Sequence, residues 1–188
     1  DEAVWLAKCA HDLGADALLV MPPFYFRAAG ADGVLDWFER FTAECRAPVL
    51  VYHFPKMTGI TFTEEMLARL AQMPNVIGAK DSSGEAANLP MFQRAMPEHS
   101  LFVGDETLLT QALEHGWSGT ISGVANVLAR WLAQIVGEWF AEESGQDTAT
   151  RESALSKFEL FLPLIQHLRA CPQPVTHKAM LAELGVIG

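Results

Sequence analysis

Long apolar runs are missing from this 188-residue chain, although half of its residues are hydrophobic and its mean hydropathy is +0.14. Its richest helical stretch, Val127–Phe140, is interrupted by Arg130, Gln134 and Glu138, which excludes a membrane span there. Cations are scarce: 13 Lys and Arg against 23 Asp and Glu leave a formal charge of −10. A chain without surplus positive charge cannot neutralise phosphates, so nucleic acid is excluded as a partner. The three cysteines, Cys9, Cys45 and Cys171, are far apart and form no CxxC pair. They read as isolated thiols of a reducing, cytoplasmic setting and not as a disulfide or zinc framework. The histidines form no HxH or HxxxH pair, so no metal site is expected. No GxGxxG follows any apolar run, which removes a dinucleotide-binding reading.

What is present is an alternation. The opening DEAVWLAKCAHD mixes acids and apolar residues as an amphipathic helix over 2–13 closed by Gly14, not as a basic leader. Apolar runs then begin near residues 17, 48, 76, 101 and 119: ADALLVMPP, PVLVYHFP, NVIGAKDSS, LFVGDE and GTISGVAN. Each is apolar on both faces, as strands of a helix-covered parallel sheet are. Helical patterns separate them. Asp32 is the expected N-cap of GVLDWFERFTAEC, and Thr63 that of a helix with Glu64 and Glu65 in its first turn. A proline-containing ANLPMFQRAM and a TLLTQALEHG closed by Gly116 follow. Helices near 127–143, 148–170 and 175–184 end the chain.

This pattern predicts an α/β fold. Tyr25, Tyr52, Lys80, Asp105, Glu106 and Ser122 all fall at or just past strand ends. A (β/α)8 TIM barrel gathers such ends into one mouth, which favours it over an open doubly wound sheet. Five units cannot close eight strands, and about 250 residues is the usual length. The expectation is therefore a fragment: residues 1–126 as the last five β/α units of a barrel whose roughly three N-terminal units lie outside the chain. Residues 127–188 would form the last barrel helix and a C-terminal helical extension.

Lys80 ends an otherwise apolar strand. By itself, VIGAKDSSGE reads as a sheet rim whose lysine reaches water. Tyr52 offers another reading. In neighbouring parallel strands the two residues would lie roughly 5 Å apart. The pleat puts Gly78 and Lys80 on one face and Leu50 and Tyr52 on one face of the strand before, with Gly78 expected to leave room beneath the lysine. His53 faces the other way and reads as structural. Dry surroundings favour a neutral, nucleophilic lysine. Its attack on a ketone gives an imine, through which a carbon–carbon bond forms or breaks while a nearby phenol moves protons. Asp105 and Glu106 also fit the plain role of acids at a helix start.

The segments VYHFPKMTG (51–59) and NVIGAKDSSG (75–84) together resemble the paired signature of the dihydrodipicolinate synthase/N-acetylneuraminate lyase family. The likeness runs from MPPFYF to GVANV and on to PVTHKAMLAELG. It implies a (β/α)8 barrel with a helical extension and a homo-oligomer built as a dimer of tight dimers. It also implies imine chemistry on pyruvate-derived 2-oxo acids or sugar acids, with no cofactor. On this resemblance Lys80 is the imine-forming lysine and Tyr52 its proton donor and acceptor. Tyr25 is the tyrosine that reaches the neighbour's proton relay across the tight-dimer interface. Ile121 holds the position whose carbonyl faces bound pyruvate, and Ser82, Asp105 and Glu106 fall where polyhydroxy substrates are contacted. The family's Gly-Thr/Ser-rich carboxylate-binding loop would precede residue 1.

One position departs from the pattern. Met57, preceded by Lys56, stands where the synthases carry an arginine for the aldehyde's carboxylate, and a thioether cannot replace a bidentate guanidinium. The expected function is a Schiff-base lyase or aldolase acting on a 2-oxo acid. The alternatives are 4-hydroxy-tetrahydrodipicolinate synthase, a 2-oxo sugar-acid dehydratase of the same family or, from another class, a non-catalytic barrel fragment.

Overall fold

The computed structural model describes residues 2–143 and 149–188. Strands β1 (Leu18–Val20), β2 (Val49–His53), β3 (Val76–Asp81), β4 (Ser100–Val103) and β5 (Gly119–Thr120) form one sheet. Every pairing is parallel, and the strands lie side by side in chain order. A doubly wound sheet reverses direction at its switch point; an unbroken order is that of a barrel wall. The chain carries consecutive β/α units of a (β/α)8 barrel.

Helices α1 (Glu2–Asp12), α2 (Gly30–Glu44), α3 (Pro55–Thr58), α4 (Glu64–Leu70), α5 (Asn88–Ala95) and α6 (Leu109–Glu114) alternate with the strands. Helices α7 (Ala125–Glu143), α8 (Ala149–Ala170) and α9 (Val175–Glu183) follow. The outer sheet face is dry. Val49, Val51, Ala79, Leu101 and Val103 are all fully buried there, in one core with Phe38, Leu67, Leu70, Phe92 and Trp117. Each large side chain so buried contributes about 1.5–3 kcal/mol. Trp117 also satisfies its indole N–H, which donates to the Leu89 carbonyl at 3.2 Å. None of the described helices is long and apolar enough to cross a membrane.

Local chemistry sets the element ends. Thr63 caps α4 as expected, its hydroxyl accepting from the Met66 N–H at 3.2 Å. Asp32 does not cap α2. A 3-10 turn over Phe24–Ala29 runs straight into the helix, so Asp32 lies in the first turn and accepts from Arg69 of α4 at 3.2 Å instead. The fifth strand is shorter than its apolar run. The Thr120 hydroxyl donates to the Val103 carbonyl at 2.7 Å, and Ile121 N–H donates to the same oxygen at 3.1 Å just beyond the strand. Gly78 does not leave empty room beneath Lys80. A Cβ there would overlap the Ser100 carbonyl and come within 2.9 Å of a Leu50 methyl, so the glycine admits the β4 backbone.

Candidate active site

Register brings the site together. Tyr52 pairs with Lys80 across β2 and β3, and Leu50 with Gly78, so all four side-chain positions share the inner face. Lys80 is only 9% exposed. Its Nζ donates to the Tyr52 hydroxyl at 3.3 Å and lies 4.3 Å from the centre of the same ring. The amine is thus held against both the face and the oxygen of one phenol. Ser82 donates to that oxygen at 3.4 Å, and Phe54 stacks on the Tyr52 ring with centroids 5.6 Å apart.

Gly104, at the end of β4, sets how close these groups come. A Cβ there would overlap the Ser82 Oγ and sit 2.8 Å from Lys80 Cε. The ladder continues past the strands to fix the same loops: Ser82 N–H donates to the His53 carbonyl at 2.8 Å and Gly104 N–H to the Asp81 carbonyl at 2.7 Å. On the outer face, His53 Nδ1 lies 2.7 Å from Asp81 Oδ1 in a fully buried pair. Asp81 also accepts from Ser83 N–H at 2.9 Å, Ser83 Oγ at 2.8 Å and Asn88 at 3.2 Å. This network pins the ends of β2 and β3, so the residues alternating with it, Tyr52 and Lys80, are held in place. His53 is structural, as its pleat position predicts.

The two acids after β4 are engaged already. Asp105 Oδ1 accepts from Thr107 N–H at 3.1 Å and from its hydroxyl at 2.6 Å. Asp105 Oδ2 accepts from Arg169 of α8 at 2.7 Å. Glu106 is wholly buried; its Oε2 accepts from Arg169 at 2.6 Å and its Oε1 from Val124 N–H at 3.3 Å. Through these bonds the Glu106 carboxylate ties α8 to the loop after β5. Asp105 is half-buried.

Ser82 and Ile121 are half-buried at the ends of their runs, with Ile121 just beyond β5. Tyr25 lies in the 3-10 turn and is 84% exposed. Met57 is 67% exposed and Lys56 is exposed too. Sequence reasoning missed Gly104, Asp81 and Arg169. The Asp-Ser-Ser after Lys80 is a recognisable side-chain-to-backbone turn and could have revealed Asp81; nothing local marks Arg169. Among the described residues, no group of three His, Cys, Asp or Glu is placed to hold a metal ion.

The model of the dihydrodipicolinate synthetase family matches residues 1–188. The 4-hydroxy-tetrahydrodipicolinate synthase of Archaeoglobus fulgidus is 30% identical over 186 residues, 98% of this chain and 62% of that protein. An uncharacterised DapA-like lyase of Chloroflexus aurantiacus is 32% identical over 159 residues, 82% of this chain and 52% of its own length. Among solved structures, the chloride-inhibited dihydrodipicolinate synthase from Acinetobacter baumannii complexed with pyruvate superposes with a TM-score of 0.89 at 26% identity. All of this chain and 62% of that one are covered. The chain thus spans about three fifths of the length of such relatives.

Proposed function

This chain belongs to the dihydrodipicolinate synthetase family, and on that footing we propose that it carries the imine-forming lysine of a class I lyase acting on pyruvate-type 2-oxo acids. The observation that carries the reading is the buried Lys80 nitrogen 3.3 Å from the hydroxyl of Tyr52. The neutral amine adds to the C2 carbonyl of the oxo acid. The former carbonyl oxygen gains two protons and leaves as water, which gives an iminium ion. Loss of a proton from C3 forms an enamine. C3 then bonds to the carbonyl carbon of an aldehyde, whose oxygen takes up a proton. Water releases the product and returns Lys80; cleavage runs the same steps backwards.

Tyr52 is the one phenol within hydrogen-bonding distance of that nitrogen among the contacts described, and it serves as the proton carrier. Ser82 orients it. Ile121 supplies a backbone carbonyl toward the bound oxo acid, and Asp105 stands at the rim for the aldehyde-derived part. Tyr25, exposed on the 3-10 turn, serves the proton relay of a second copy in a homo-oligomer.

Borohydride added with pyruvate to the full-length protein reduces the imine to a stable secondary amine. Adduct formation in wild type and its loss in Lys80→Ala supports the reading; a wild-type protein left unmodified overturns it. A second reading, 4-hydroxy-tetrahydrodipicolinate synthase, is favoured by the names of the relatives at about 30% identity. Met57 argues against it, because no guanidinium stands at that position. Product analysis with pyruvate plus aspartate semialdehyde, against cleavage of a 2-oxo sugar acid, separates the two.

A further inference from the structure

Arg169 of α8 reaches back 63 residues to the segment that follows β4. Its guanidinium forks across two consecutive carboxylates, with Nη2 2.7 Å from Asp105 Oδ2 and Nη1 2.6 Å from Glu106 Oε2. The fork is sheltered: Arg169 and Asp105 are half-buried and Glu106 is wholly buried. The other carboxylate oxygens are satisfied too, Asp105 Oδ1 by Thr107 and Glu106 Oε1 by Val124 N–H. Charge-assisted forked bonds are among the strongest a side chain makes. One guanidinium thus locks together α8 and the loops after β4 and β5.

The lock sits one residue from the wall of the lysine site. Gly104 directly precedes Asp105 and packs so closely on Lys80 Cε and Ser82 Oγ that no Cβ fits between them. β4 ends at Val103, and Gly104 N–H adds one more ladder bond, 2.7 Å to the Asp81 carbonyl. Beyond that bond the Asp105 and Glu106 side chains tie the segment to α8. If the segment swings outward, the wall behind Lys80 and Ser82 goes with it. The 3.3 Å contact between the amine and the Tyr52 hydroxyl is then no longer enforced.

We infer that Arg169 is a positioning residue for the imine chemistry: by forking Asp105 and Glu106 it holds Gly104 against Lys80 and Ser82, which keeps the Lys80 amine on the Tyr52 hydroxyl. The inference rests on the lyase reading above. It deepens that reading by making α8 part of what shapes the site. A displacement of about 1 Å at a reacting group can cost about 10²-fold in rate. The lock therefore governs how fast bound pyruvate reacts. Positive charge alone does not suffice, because a lysine ammonium is a point charge without the rigid fork.

The test follows exchange of the pyruvate methyl protons for deuterium in D2O, catalysed by the full-length protein and read by proton NMR. Imine and enamine formation exchange the C3 protons with no aldehyde present. Arg169→Lys keeps a counter-charge for Glu106 but cannot fork, and Arg169→Met with Glu106→Gln removes the fork without stranding a buried charge. Both are measured at a temperature where thermal melts show them fully folded. Maximal exchange is expected to fall by about 10–100-fold in each, with half-saturating pyruvate within about twofold of wild type. The lysine variant keeps the test valid if the double variant does not fold. Wild-type exchange in either variant, or a raised half-saturation with an unchanged maximum, overturns the positioning role and leaves the lyase reading standing. A wild-type protein that exchanges no methyl protons overturns the lyase reading, and the positioning role with it.

Discussion

Lys80 and Tyr52 meet because their strands are in register: they are directly paired residues of β2 and β3, and the amine reaches the phenol oxygen at 3.3 Å. Removing only that oxygen separates the proton-carrying role proposed for it from the shape of the pocket. Tyr52→Phe keeps the ring, its stacking on Phe54 and the ring face beneath the lysine nitrogen. Steady-state turnover is expected to fall by about 10²–10⁴-fold, the usual worth of a positioned acid–base group. Borohydride trapping of pyruvate slows but still reaches completion. Unchanged turnover in this variant removes Tyr52 from the mechanism.

Gly104 controls the approach of the same groups from the neighbouring strand. Gly104→Ala forces Ser82 and Lys80 apart, because its methyl overlaps the serine oxygen and crowds Lys80 Cε. Both neighbours are side chains that can move, so the fold survives while imine formation is lost. Gly78→Ala is expected to behave differently. There the overlap is with the Ser100 backbone carbonyl, which cannot move without parting β3 from β4. Thermal melts and imine trapping on the two variants give opposite patterns: a stable, untrapped protein for Gly104→Ala and an unstable one for Gly78→Ala.

Arg169 holds two carboxylates, one of them wholly buried. Arg169→Met leaves Glu106 without its counter-charge, and breaking a buried pair in this way costs about 3–5 kcal/mol. Adding Glu106→Gln restores part of that loss, because the glutamine carries no charge to strand. Denaturant titration of the single and double variants checks this; a double variant as unstable as the sum of its parts contradicts it.

Acid should loosen the contact between α7 and α8. The Lys157 ammonium, bonded to Glu138, holds that carboxyl below its ordinary value of 4.5, with Gln134 and Ser153 adding to the effect and burial opposing it. A carboxylate depressed in the folded state adds stability that is fully present above its unfolded value and is lost as pH falls through the folded one. Glu138→Gln is therefore expected to lower Tm at neutral pH by the equivalent of about 1 kcal/mol or less. The gap to wild type should close below about pH 4. A gap that persists in acid shows that the glutamate acts through packing and not through charge.

Much of this arrangement is legible in the chain. The five strands announce themselves because a parallel sheet covered by helices needs runs apolar on both faces, and each such run in this sequence became a strand. The pairing of Tyr52 with Lys80 follows from strand adjacency and pleat parity, both of which are local rules. Thr63 was readable because a hydroxyl at an N-cap acts on its own turn. Asp32 was not, since the preceding 3-10 turn supplies the helix start and no residue pattern marks where the two join. Glu106 reads as a helix-start acid, and its true partner lies 63 residues away in α8. Gly78 and Gly104 look alike in sequence; which of them faces backbone and which faces side chains depends on the neighbouring strand.

The central claim is that one particular nitrogen bonds to C2 of a 2-oxo acid. Tryptic mapping of the full-length protein after pyruvate and borohydride locates the bond directly. The lysines in this chain are Lys8, Lys56, Lys80, Lys157 and Lys178. The account predicts a single pyruvyl-derived mass increase on the peptide containing Lys80, blocked in Gly104→Ala by crowding of Lys80 and Ser82 from the β4 side. An adduct on Lys56 or any other lysine, or none under conditions that trap a control aldolase, contradicts it.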